Sequence, residues 1–114
     1  MLHKTMTTLL TVLLVLVFIG SAAALEEGNK RKGKYTYRKV YKACFERGQV
    51  SSEVPHLSPS AKTQAQWAQI FQSKDFDQFK CQEEWAQLSQ EDISDIYAYL
   101  YNFAADSPTP ATCK

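Results

Sequence analysis

Cys44, Cys81, Cys113 and His56 carry the most versatile chemistry in this sequence. A thiol can act as nucleophile, metal ligand or half of a disulfide, and an imidazole can bind a metal or carry a proton near neutral pH. Each use needs partners at short, defined spacings. No Cys-x-x-Cys occurs, and the only other histidine, His3, lies next to an apolar leader. The acid pairs Glu83-Glu84 and Glu91-Asp92 are sequence neighbours, which suits helix surface and capping better than a general acid/base dyad. No glycine-rich loop could cradle a phosphate. The residues alone therefore predict no catalytic residue, no metal site and no enzyme.

The leader decides what the cysteines meet. Lys4, the apolar run LLTVLLVLVFIG over residues 9–20 and the small residues of SAAAL form the order of a secretory signal peptide. Ala22 and Ala24 place cleavage after Ala24, giving residues 1–24 as signal and a periplasmic or secreted mature chain from Leu25. The apolar run falls short of the roughly 20 residues a membrane-crossing helix needs, so no stable span is expected after cleavage; retention as an anchor is the alternative. In an oxidising compartment one cysteine pair should close. The expected pair is Cys81 with Cys113, because the Pro-rich strap from Asp106 to Cys113 can fold back on the segment before it. Such a loop, about 33 residues, is worth roughly 3–4 kcal/mol in the chain-entropy model. Cys44 is then left unpaired, and a thiol-exchange role is a further alternative, opposed by its place on an apolar helix face.

The mature chain is long enough for one small domain, which is marginal unless it is well filled. Six Tyr, six Phe and two Trp, all but Phe18 beyond the leader, supply the filling. Charge is split along the chain: residues 25–49 hold eight basic and three acidic side chains, residues 75–106 one basic and eight acidic. The two ends should attract each other or face different partners. Export and the lack of a net positive field argue against nucleic acid.

The pattern is helical throughout. Residues 25–32 read as a flexible basic arm and residues 33–114 as one all-α domain with a Pro-rich tail. Gly33, Tyr37, Val40, Tyr41 and Cys44 share one face of a first helix that Gly48 should stop. A second helix is expected from Ser58 or Ser60 through Trp67 and Phe71, and a short third one carries Cys81, Trp85 and Leu88. Ser89 and Asp92 form a capping box for the last helix, whose stripe includes Ile93, Ile96, Tyr97, Leu100 and Ala104.

Both end helices carry a resemblance. Gly33-x-x-x-Tyr37-x-x-x-Tyr41-x-x-Cys44-Phe45 resembles the first helix of class I cytochromes c, Gly-x-x-x-aromatic-x-x-x-Cys-x-x-Cys-His, with its spacing intact. The segment LSQEDISDIYAYLYNF is similar to the family's last helix, and Pro55-His56-Leu57 to its Pro-x-Leu loop. The resemblance implies a small all-α cytochrome c-like fold in which Gly33 and Tyr37 cross Ile96, Tyr99 and Leu100. It also implies a degenerate haem motif. Covalent attachment uses two thiols and a histidine that binds iron, whereas here Tyr41 replaces one thiol and Phe45 the histidine. The only methionines, Met1 and Met6, lie in the leader, so the family's other usual ligand is missing too.

The expectation is an exported, haem-free accessory or protein-interaction domain beside a periplasmic electron-transfer complex. Its surfaces would be basic at Lys30, Arg31, Lys32, Lys34, Arg38 and Lys39, and acidic at Asp75, Asp77, Glu83, Glu84, Glu91, Asp92 and Asp95. No cofactor is expected, with aromatic side chains in the volume a porphyrin would fill. The alternative is an unconventional electron carrier holding haem c through Cys44, His56 or both.

Overall fold

The structure, a computed structural model, describes residues 28–112. The expected signal peptide and Cys113 lie outside these residues. Within them the chain forms α1 (Lys30–Glu46), a 3-10 turn (Pro59–Ala61), α2 (Gln64–Ser73), a second 3-10 turn (Phe76–Phe79), α3 (Gln82–Ala86) and α4 (Gln90–Asn102).

α1 begins three residues before Gly33, so Lys30–Lys32 of the expected flexible arm are helical. Asn29 explains this: its side-chain oxygen accepts from the Arg31 and Lys32 amides at 3.0 and 3.1 Å, satisfying two donors that a helix start leaves open. Its own amide donates to Asp95 Oδ1 at 2.7 Å, which ties the cap to α4. At the far end Gly48 takes φ +81° and donates to the Phe45 carbonyl, the left-handed turn that glycine adopts without strain. One face of α1, from Gly33 to Cys44, is buried.

The second expected helix is split. Pro59 starts only a 3-10 turn, and Thr63 then caps α2 with Gln66 in a reciprocal pair: the Gln66 amide donates to Thr63 Oγ1 at 3.2 Å, and the Thr63 amide to Gln66 Oε1 at 2.9 Å. The break lets the Lys62 carbonyl accept from the Ala105 amide at 3.0 Å, which anchors the chain after α4. The third expected helix is shortened to α3, preceded by Lys80 and Cys81 with φ of 57° and 53°. α4 starts as read from the sequence, Ser89 and Asp92 exchanging amide–side-chain bonds of 3.1 and 3.2 Å.

α1 and α4 pack closely. A Cβ on Gly33 would collide with the Asp95 carbonyl and lie 2.9 Å from the Ile96 nitrogen, so the two backbones approach as only glycine permits. Beside this crossing Ile96 and Leu100 are fully buried and the Tyr37 and Tyr99 rings lie 6.0 Å apart. Of the expected crossing residues, Gly33 thus meets Ile96 and Tyr37 meets Tyr99. Lys32 joins the same helices from the surface, 3.3 Å from Glu91 and 3.8 Å from Asp95.

Candidate functional site

The segment that resembles a haem motif closes α1, where Tyr41 and Cys44 are buried and Phe45 is exposed. Tyr41 points inward and donates its hydroxyl to the Phe79 carbonyl at 2.7 Å. One turn earlier Tyr37 donates to the Leu57 carbonyl at 2.6 Å, so the Pro55-His56-Leu57 loop is held by a phenol of α1. Burial raises the pKa of both phenols well above the ordinary tyrosine value, keeping them neutral hydrogen-bond donors. Phe45 turns to solvent, 42% exposed.

Cys44 is bonded to Cys81, with the two Cα atoms 5.6 Å apart. This corrects the expected Cys81–Cys113 pair and the expectation of an unpaired Cys44. The reason is packing: both residues are buried in the core cluster, where α1 meets the residue that leads into α3. The bridge closes a sequence separation of 37 residues. By the chain-entropy model it is worth roughly 4 kcal/mol. Glu84 approaches the two sulfurs to within 4.8 Å, but sulfurs bonded to each other are not a pair of thiolate ligands. The Glu84 carboxylate is instead clamped by Arg47, whose Nε and Nη2 donate at 3.0 and 2.8 Å. The hydrogen bond from Arg47 holds the Glu84 carboxyl below its usual pKa.

Phe79 occupies the middle of the interior. Its ring stacks on Trp85 with centroids 4.4 Å apart and lies parallel to Trp67 at 5.9 Å, with Tyr37 edge-on at 5.9 Å and Phe71 at 6.0 Å. Trp67 fixes the loop behind it by donating its indole N–H to the Pro59 carbonyl at 2.8 Å. Such a stack leaves aromatic carbon in contact with aromatic carbon.

His56 is exposed at the edge of this core. Its Nε2 donates to the Gln78 carbonyl at 3.0 Å, which assigns the proton to Nε2, and its ring meets Tyr41 edge-on at 5.6 Å. The imidazole thus staples the Pro55–Leu57 loop to the 3-10 turn.

Covalent haem attachment does not fit these residues. The thiol at Cys44 is spent, Tyr41 uses its hydroxyl elsewhere, Phe45 has no ligand atom and turns outward, and the Nε2 of His56 faces a carbonyl. The same disulfide removes Cys44 as the anchor of an unconventional carrier and as a free exchanging thiol. Two expected surface residues also change character: Asp95 is buried between α1 and α4, and Glu84 is largely covered and paired with Arg47. The hub role of Phe79 was not visible in the sequence. The burial of Cys81 was, because Cys81, Trp85 and Leu88 share a helical spacing.

No helix among the described residues is long and apolar enough to cross a membrane. Comparison with known proteins finds no matching family model, curated protein or solved structure.

Proposed function

We propose that this chain is an exported, haem-free, cytochrome c-like domain that works as a non-catalytic accessory or protein-interaction subunit beside an electron-transfer complex. The observation that carries the proposal is the Cys44–Cys81 disulfide, at the position where the resemblance places a haem thioether. Three further features support it. The spacing from Gly33 to Phe45 keeps the helix-crossing part of the cytochrome pattern, and Gly33 is packed against α4. Tyr41 and Phe79, joined by a buried hydrogen bond, fill space beside the remnant motif. Arg31, Lys34, Arg38, Lys39 and Lys42 of α1 are exposed and form no ion pair among the described residues, which suits recognition.

Export rests on the leader and on the disulfide, which an oxidising compartment favours. The test is expression of the full chain with a competent haem-maturation system, followed by a visible spectrum and haem staining after denaturing electrophoresis. A colourless protein without staining is expected. A Soret band that stays with the denatured polypeptide would overturn the haem-free reading.

A further inference from the structure

We infer that the outer face of α1, with the groove beside it, is a docking site for an acidic peptide segment of a partner protein that carries one bulky apolar side chain. The inference deepens the protein-interaction reading above and rests on it.

Arg31, Lys34, Arg38 and Lys42 stand at offsets 0, 3, 7 and 11 on α1, and Lys39 beside them, all exposed. Among the described residues none of the five forms an ion pair, whereas Lys32 of the same helix and Arg47 just after it are paired with acids of α4 and α3. The cations facing the domain are satisfied within it, and those facing outward are left open. From Arg31 to Lys42 the helix rises about 16 Å, the reach of roughly five extended residues. Tyr35 lies within this stripe, 68% exposed, an aromatic side chain of the kind enriched at protein interfaces.

Beside the Arg38 and Lys42 end of the stripe lies an open groove of about 480 Å³. Tyr37 and Tyr99 form its aromatic side, Val54, Leu57 and Pro59 its loop side, and Arg38 and Lys42 one rim. Val54 is 69% exposed there. Glu53 also lines the groove, so carboxylates are favoured along α1 and disfavoured at the loop wall. A ligand with acids in line and an apolar side chain turned into the groove satisfies both halves.

A bilayer fits less well. A helix lying in a membrane surface must bury its apolar face in the lipid, and here the apolar face of α1 from Gly33 to Cys44 is packed into the core. The groove is concave, and a flat anionic surface would leave it unused.

Fluorescence anisotropy on the full mature chain tests the site. The probe is a fluorescein-labelled peptide of Asp and Glu with one central Leu; its partners are the same peptide with Ser for Leu, and vesicles of phosphatidylcholine containing phosphatidylglycerol. The Leu peptide should bind at least about tenfold more tightly than the Ser peptide, and more weakly as salt rises. Arg38→Glu/Lys42→Glu should weaken it at least about tenfold, Val54→Asp should remove the preference for Leu, and Lys74→Glu, outside stripe and groove, should change neither. Circular dichroism confirms that the variants fold. Equal binding of the two peptides, no binding, insensitivity to the double reversal, or vesicle binding without peptide binding would each overturn the inference. A colourless protein that ignores the peptide removes this site and leaves the haem-free reading standing. A haem-bearing protein that binds it does the reverse.

Discussion

The carbonyl oxygen of Asp95 occupies the place where a side chain on Gly33 would begin. This contact sets how closely α1 and α4 approach, and everything buried between them depends on it. Gly33→Ala should therefore destabilise the fold by about 2 kcal/mol or more, despite alanine's better helix propensity, because overpacking against backbone cannot be relieved by a rotamer change. Gly48→Ala meets no neighbour and should cost only about 1 kcal/mol, from its positive φ. Urea unfolding midpoints of the two variants check the order.

Asp95 also caps the approach from the other side. Asp95→Ala removes the acceptor of the Asn29 amide and should cost about 1–3 kcal/mol, whereas Asp95→Asn keeps an acceptor of the same shape and should cost less. Thermal melts of the two variants separate loss of the hydrogen bond from loss of charge.

The buried phenols give a pH dependence with a definite sign. Burial raises the folded-state pKa of Tyr37 and Tyr41 above the unfolded value of about 10. Their contribution is complete below that value and is lost as pH climbs from it toward the folded pKa, so stability should fall on the alkaline side. In an alkaline titration followed by phenolate absorbance, the ionisation of these two should coincide with unfolding seen by circular dichroism. Tyr37→Phe/Tyr41→Phe should lose that late phase.

Removing both ends of the disulfide tests its mechanical role. Cys44→Ser/Cys81→Ser should lose roughly 2–5 kcal/mol of stability relative to the oxidised protein. Reduction of the native chain should lower its urea midpoint in the same direction.

Much of the scaffold was legible because it rests on local signals. Ser89 and Asp92 announce the start of α4 within four residues, and the spacing of Gly33, Tyr37, Val40, Tyr41 and Cys44 fixes the buried face of α1. The crossing of the two helices followed from the resemblance and depends on one glycine. What failed was a competition between local signals, a core residue outside any helical period, and a contact distant in sequence. Thr63 and Gln66 break the second helix through a reciprocal cap that competes with the Pro59 start, and no periodicity reports which wins. Phe79 lies in a 3-10 turn, where the helical period that identifies core residues does not apply. Cys44 and Cys81 were each placed on an apolar face, yet their pairing required knowing that α1 and the start of α3 meet. The Pro-rich strap from Asp106 to Cys113, able to fold back, pointed to Cys113 instead.

The account turns on Cys44, and non-reducing peptide mass mapping of the protein purified from its own source tests it most directly. Digestion after blocking free thiols should yield the Cys44 peptide joined to the Cys81 peptide, the pair separating on reduction. A Cys44 peptide carrying the mass of haem, a blocked free Cys44, or Cys81 joined to Cys113 would contradict it.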